Sequence, residues 1–236
     1  MARIRIAFSK EDPVRWLSHL DTQKAFERAL RRAQISLVFS EGYNPHPKIS
    51  FASALAVGVI SLGEYVDVEI DPLIENAELV MRLQKAMPEG FRIIDAEIVP
   101  PGQPALMALV NRAQYRVKVP LLSSIEEKEV QDSIQTSLDL DSWLVERESK
   151  KGLVQKEIRS GVYEVKGTVV ENHLLLEMLV QTGSEGNVRP EEVLSMVVQQ
   201  KDLPVQLERL RIIRLGLFVV KDGKQFTPLE VLKDLR

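Results

Sequence analysis

Residues 3–33 read RIRIAFSKEDPVRWLSHLDTQKAFERALRRA, and this stretch predicts a β-strand followed by an amphipathic α-helix. Polar and apolar residues alternate over Arg3–Phe8, which is the two-residue period of a strand. The helix is expected to begin after Ser18, because a serine can cap the first turn and Asp21 stands where a capping-box acid would. Its apolar residues 26, 29, 30 and 33 recur at helical spacing.

The elements after this helix complete a β-α-β-β-α-β order within residues 1–100. Apolar runs predict the remaining strands, and helical spacing predicts one further helix. These elements are a strand at Leu37–Ser40, a strand at Tyr65–Ile70, a helix at Ala77–Lys85 and a strand at Arg92–Val99. The order is that of the split β-α-β arrangement of ferredoxin-like folds.

The stretch Pro100–Pro104 interrupts this pattern as a linker does. A similar order begins again after it, with helices expected after Ser124 and from Pro190. Strand-like segments lie at Tyr115–Val119, Trp143–Arg147, Val162–Val170, His173–Val180 and Leu207–Phe218. We therefore predict an α+β fold of two tandem ferredoxin-like (βαββαβ) halves, residues 1–100 and 112–220, followed by a C-terminal tail at 221–236.

The composition excludes several classes of site. The 236 residues include no cysteine, which excludes disulfides, thiolate zinc sites and cysteine-ligated iron–sulfur clusters in this chain. The sequence contains no phosphate-binding loop, dinucleotide fingerprint or Ser-His-Asp arrangement, and no cofactor is expected. No apolar run approaches the roughly 18–20 residues that cross a bilayer, and the first residues lack a signal-peptide core. The expected location is therefore the cytoplasm, without a membrane partner.

Positive charge is concentrated near the start of the chain. The net charge is −3, yet residues 1–48 carry nine Lys/Arg against five Asp/Glu, a local excess of +4. Four of these cations lie on the first helix, namely Lys24, Arg28, Arg31 and Arg32. Side chains three and four apart share a face, and guanidinium groups on such a face can bind phosphates. An ordinary solvated helix face, supported by a Glu27–Arg31 pair, explains the same pattern.

A stiff loop follows, in which two prolines flank a histidine. Its candidate site residues are Tyr43, Asn44, His46 and Lys48. Such a loop loses little conformational entropy on binding, because proline restricts the backbone beforehand. The tyrosine could stack on a base, the histidine could exchange protons near neutral pH, and the lysine could bind an anion. The alternative is a rigid turn with a packed tyrosine and a solvated histidine.

His19, at the start of the first helix, is either part of the cap or a further catalytic candidate. The catalytic candidates are therefore His19, Tyr43, His46 and Lys48. A metal site would require His19, His46 and a carboxylate such as Asp21 or Glu41 to converge, and no spacing motif supports this. We expect no metal.

Several segments together resemble a known family. The resemblance covers essentially the whole chain and is most specific over residues 8–70. The segments are Phe8–Lys10, Leu17–Asp21, Arg28–Ala33, Ser40–Pro47 and Gly58–Tyr65. The family is the radical-SAM-associated family of uncharacterised bacterial proteins, found beside radical SAM proteins or fused after them. The resemblance implies a radical SAM protein as partner. This chain cannot be that enzyme itself, because it has no cysteines to hold the iron–sulfur cluster. The resemblance also favours RNA as the substrate.

Three hypotheses for function follow. The first is a non-catalytic accessory module that binds RNA or another anionic substrate for a radical SAM enzyme. The second is a metal-independent RNA-processing enzyme, in which a histidine and Tyr43 would act as acid and base and Lys48 would stabilise phosphorane-like charge. The third is a protein-interaction scaffold, in which the basic helix docks on an acidic partner.

Overall fold

The computed structural model describes residues 1–149 and 152–233. The fold is α+β, with largely antiparallel sheet structure and several helices, which confirms the predicted class. The chain divides into two compact units, one formed by Met1–Asn111 together with the chain from Arg214 onward, the other by Arg112–Ile213.

The first unit contains most of the elements predicted for the first half of the chain, with one strand in a different place. Its elements are β1 (Ala2–Lys10), α1 (His19–Arg32), β2 (Ile49–Phe51), β3 (Ile60–Ile70), α2 (Asn76–Ala86), β4 (Phe91–Val99) and the short α3 (Leu106–Leu109). β1 pairs antiparallel with β3 on one side and with β4 on the other, and β2 pairs antiparallel with β3. Alternation places Ile4, Ile6 and Phe8 of β1 in the core, which they share with the apolar face of α1.

The strand predicted at Leu37–Ser40 is wrong. Leu37 and Phe39 make only isolated bridges, to Ile70 and Pro47, and the strand that pairs with β3 is the later Ile49–Phe51. The physical reason lies in Pro45 and Pro47, which have no backbone N–H to donate, so a regular ladder cannot form along this stretch.

The second unit contains β5 (Arg112–Pro120), α4 (Glu127–Leu138), β6 (Leu144–Ser149), β7 (Gly152–Glu157), β8 (Val162–Val170), β9 (His173–Gln181) and α5 (Pro190–Lys201). β9 pairs antiparallel with both β5 and β8, while β6 and β7 form a separate hairpin. The prediction missed β7, whose residues are all exposed and therefore carry no core-facing alternation. The buried Trp143 donates its indole N–H to the carbonyl of Ser137 at 2.8 Å.

The last strand, β10, spans Arg211–Lys221, and the segment predicted from Leu207 begins instead with a short 3-10 turn. It is followed by β11 (Lys224–Phe226), which pairs with it, and by α6 (Glu230–Lys233). From Arg214 onward these residues belong to the first unit, where the Arg5 guanidinium donates to the carbonyl of Pro228 at 3.1 Å.

Candidate functional site

The first helix begins where the sequence predicts. Ser18 is its N-cap, and its hydroxyl accepts a hydrogen bond from the backbone N–H of Asp21 at 3.1 Å. The same hydroxyl donates to the Asp21 carboxylate at 2.6 Å, and this hydrogen bond lowers the pKa of Asp21 below its usual value. Phe26, Ala29 and Leu30 are fully buried, so the opposite face of α1 is left to solvent.

All four cations of α1 are exposed, but they differ in how far they are already engaged. Arg31 pairs with Glu27 at 2.6 Å, as the sequence predicts. Arg32 donates to the carbonyl of Ala86 at 2.6 Å and so ties the end of α1 to α2. Within the described ranges, the side chains of Lys24 and Arg28 make no hydrogen bond or ion pair, so both are available to an incoming anion.

Two further cations, which sequence reasoning missed, extend this surface onto α2. Arg82 and Lys85 line a shallow hollow of about 400 Å³ together with Arg32. Arg82 is held in place because its guanidinium donates to the carbonyls of Ala33 at 2.6 Å and Gln34 at 2.8 Å. We call Lys24, Arg28, Arg31, Arg32, Arg82 and Lys85 the basic surface.

The proline loop is closed at its base by two hydrogen bonds. The N–H of Ser40 donates to the carbonyl of His46 at 2.8 Å, and the N–H of His46 donates to the Ser40 hydroxyl at 3.0 Å. Tyr43 at the tip is fully exposed, at 106% of its reference area, and Asn44 is exposed beside it. The ring is therefore not packed against the protein, and both of its faces are open for stacking.

The structure places His46 and Lys48 beside one hollow, of about 290 Å³. Lys48 is not a free cation there, because it pairs with Glu69 at 2.9 Å. Asp67 also lines this hollow and is paired with the buried Arg5 at 2.8 Å. The hollow thus carries both signs of charge, and Tyr43 is not among its lining residues.

His19 does not line the hollow of His46. Its ring stands edge-on to Phe51, with centroids 5.3 Å apart, and it lines a narrow cleft with Lys10 and Glu64. The structure therefore assigns the two histidines to different hollows. Over residues 1–149 and 152–233, no three His, Asp or Glu side chains come together as metal ligands.

Five buried ionic residues of the described chain escaped the sequence reasoning: Arg5 and Asp67, which pair with each other, and the three residues Lys10, Glu64 and Arg214. Lys10, Glu64 and Arg214 are 2%, 3% and 1% exposed. Lys10 and Glu64 lie inside the family-like segments Phe8–Lys10 and Gly58–Tyr65, and that placement is the only signal the sequence offers for them. Arg214 stands in an apolar strand with no neighbouring motif. Burial lowers the pKa of Lys10, since the charged form loses water, although the nearby Glu64 opposes the effect.

Within residues 1–149 and 152–233, each helix is too short or too polar to span a lipid bilayer.

Comparison with known proteins gives a family but little else. Residues 3–190 match a family described as uncharacterized protein conserved in bacteria, DUF2344. Among curated proteins none matches significantly. One similar solved structure is that of a Cbf5-Nop10-Gar1 complex, at 11% identity and a TM-score of 0.49, covering 97% of this chain and 54% of the other.

Two other solved structures are more distant. An H/ACA RNP bound to a substrate RNA containing 2'-deoxyuridine matches at 10% identity and a TM-score of 0.45, covering 92% of this chain and 47% of the other. An unknown protein from Galdieria sulphuraria matches at 13% identity and a TM-score of 0.27, covering 93% and 99%. The chain spans about half the length of the first two of these chains.

Proposed function

The chain belongs to this DUF2344 family of uncharacterised bacterial proteins, and we propose that it is a non-catalytic accessory module that binds RNA for a radical SAM enzyme. The observation that supports RNA binding is the basic surface. Six cations from α1 and α2 belong to it, and the side chains of Lys24 and Arg28 make no hydrogen bond or ion pair within the described chain. The radical SAM partner is proposed from the sequence resemblance alone.

The basic surface suits phosphates better than a single bound ion. Its exposed cations are spread along α1, from Lys24 to Arg32, and continue at Lys85. Phosphates of a nucleic acid strand recur at regular intervals, and each contact with a cation releases condensed counterions. Arg32 and Arg82 have part of their donor capacity taken by backbone carbonyls, which fixes their positions, and Arg82 also pairs with Glu78 at 3.2 Å.

Removing two of these arginines is the direct test. We expect Arg28→Ala with Arg31→Ala to weaken RNA binding and to flatten its dependence on salt, by about 0.7 in log–log slope for each lost contact to a single strand. The measurement is a titration of the full chain with bulk cellular RNA at two salt concentrations.

The matched control removes the same charge elsewhere. Lys128 and Lys201 are exposed and lie in the second unit, so Lys128→Ala with Lys201→Ala should leave affinity and slope near those of the unmodified chain. Equal losses in both double variants would mean that net charge matters and that the basic surface does not. Binding to an acidic protein without any affinity for RNA would favour the scaffold hypothesis instead.

Tyr43 supplies a second contact that does not depend on charge. We expect Tyr43→Ala to weaken binding to single-stranded RNA by about 1–3 kcal/mol, the range for loss of one base–aromatic stack. Tyr43→Leu, which keeps an apolar side chain without the ring face, should lose a similar amount, whereas Tyr43→Phe should bind normally. The same titration at constant salt measures all three. Retained affinity in Tyr43→Ala would remove the loop from the proposal.

The enzymatic alternative has its own readout. If the chain processes RNA without metal, cleavage should persist in chelator and disappear in His46→Ala or His19→Ala. Since His19 and His46 line different hollows, only one of the two substitutions should abolish such cleavage.

We also infer that each unit is a ferredoxin-like half. In the first unit the strands lie in the order β4-β1-β3-β2, and in the second β9 lies between β5 and β8. These orders support the inference because a split β-α-β arrangement places one strand between the two strands that a helix connects, here β3 between β1 and β2 and β9 between β5 and β8.

A further inference from the structure

Helices α1 and α2 end beside each other, and a helix end leaves backbone carbonyls without partners. After α1 the chain turns at Gln34, whose φ is +55°. Its N–H donates to the carbonyl of Arg31 at 3.0 Å. The N–H of Ile35 donates to the carbonyl of Leu30 at 3.0 Å, and the two bonds end the helix as a Schellman motif. The carbonyls of Ala33 and Gln34 take no part in this motif.

Two arginine side chains bind carbonyls at these helix ends. Arg82 donates through Nη2 to the carbonyls of Ala33 at 2.6 Å and Gln34 at 2.8 Å. Arg32 donates through Nη2 to the carbonyl of Ala86 at 2.6 Å, and its other N–H donors have no partner within the described chain. Both guanidinium groups are therefore held in place before a ligand arrives, which reduces the entropy lost on binding.

The hollow between these helix ends carries a local excess of positive charge. Among the described residues its charged lining side chains are Arg32, Arg82 and Lys85, and no carboxylate lines it. The acid that pairs with one of them is Glu78, 3.2 Å from Nη1 of Arg82. Lys85 is exposed, and its side chain makes no hydrogen bond or ion pair within the described chain. Since the two arginines already offset the negative ends of the helix dipoles, Lys85 has the charge most available to an anion.

The hollow lies at one end of the row of cations on α1. Arg28 follows Lys24 by about one helical turn, and Arg32 follows Arg28 by about another. From Lys24 to Arg32 the helix rises about 12 Å, at about 1.5 Å per residue. An RNA strand whose phosphates contact Lys24 and Arg28 would therefore reach the hollow with its next phosphate. The volume of about 400 Å³ leaves ample room for a phosphate group.

We propose that this hollow binds the terminal phosphate monoester of an RNA strand, with Lys85 and Arg32 as its principal donors. A monoester carries a charge of about −1.5 to −2 at pH 7 and presents three acceptor oxygens. An internal phosphodiester carries a single charge, and the chain must leave it on both sides. Three cations around one hollow therefore suit the monoester better. The inference rests on the proposed function, because the remainder of the strand would lie along α1.

The test compares three forms of one short RNA. An oligouridylate of about ten nucleotides, labelled at an internal position, carries hydroxyls at both ends, a 5′-phosphate or a 3′-phosphate. Each form is titrated with the full chain at constant ionic strength. We expect at least one phosphorylated form to bind about tenfold more tightly than the hydroxyl form, the effect of about one charge-assisted hydrogen bond. The form preferred identifies the end of the strand that enters the hollow.

The outcomes separate this inference from the proposed function. Equal affinity of all three forms overturns the terminal-phosphate site and leaves RNA binding intact. The absence of binding by every form overturns both.

Lys85→Met distinguishes the hollow from a general effect of charge, because methionine keeps most of the length of the side chain without its ammonium. The preference for the phosphorylated form should disappear in this variant. The matched control is Lys24→Met, at the other end of the row, which should weaken all three forms alike and keep the preference. Both lysines are exposed, so both variants should fold. A preference that survives in Lys85→Met, or that Lys24→Met removes equally, overturns the proposal.

Discussion

Replacing Glu64 by glutamine should lower the free energy of unfolding by about 3–5 kcal/mol, the range for breaking a buried ion pair from one side. The side chains of Arg214 and Glu64 are 1% and 4% exposed, so water cannot solvate the charge that is left behind. The loss should lie toward the upper end of this range, because Lys10 also loses the carboxylate that offsets its burial. Urea denaturation at neutral pH measures the change.

An exposed ion pair gives the matched control for this substitution. Arg116 and Glu177 pair across β5 and β9 with side chains 45% and 39% exposed, so Glu177→Gln should change stability by about 0–1 kcal/mol. Replacing both members of the buried pair, Glu64→Leu with Arg214→Met, should recover much of the loss, since apolar pairs often replace buried ion pairs without cost. A Glu64→Gln variant as stable as Glu177→Gln would contradict the claim that burial makes the Glu64–Arg214 ion pair costly to break from one side.

The features predictable from sequence are those determined by neighbouring residues. The start of α1 follows from Ser18 and Asp21, three positions apart, and its buried face follows from the spacing of Phe26, Ala29 and Leu30. The structure agrees with the sequence on each of these points. Local hydrogen bonds and helical periodicity are visible in a single sequence, whereas pairing between distant strands is not.

The sequence pattern misplaces the strand that pairs with β3, because pairing between distant strands leaves no local signal. Leu37–Ser40 is apolar enough for a strand, but its neighbours include the two prolines that end the ladder. Ile49–Phe51 is only three residues long, too short to show an alternation. Its identity is decided by contact with Val66–Val68 of β3, which no local pattern records.

The candidate sites show the same difference between residues found from local spacing and residues brought together by tertiary contacts. Four cations of the basic surface could be named from their spacing on α1, but Arg82 and Lys85 join them only because α2 packs beside α1. The buried pair of Glu64 and Arg214 is harder still to find from a sequence pattern, because the two residues are separated by 150 positions. Chemistry assembled by tertiary structure therefore has to be sought among buried charges and not among motifs.

The basic surface depends on the packing beneath it, and Phe26→Ala tests that dependence. Phe26 is fully buried, with its ring centroid 4.6 Å from that of Phe8 and 5.4 Å from that of Phe51. Its removal should lower the free energy of unfolding by about 3–5 kcal/mol, through lost burial and the cavity that remains. Urea denaturation gives the value, and the RNA titration shows whether binding falls with the folded fraction.

Leu20 provides the control on the same helix. It is 65% exposed, so Leu20→Ala should change the free energy of unfolding by no more than about 0.5 kcal/mol and leave RNA binding intact. If Phe26→Ala unfolds the chain yet RNA affinity persists, binding would come from unfolded positive charge, and the arrangement of cations on α1 and α2 would have no part in it. If affinity and fold are lost together, the packing of Phe26 against Phe8 and Phe51 holds the cations in their binding arrangement.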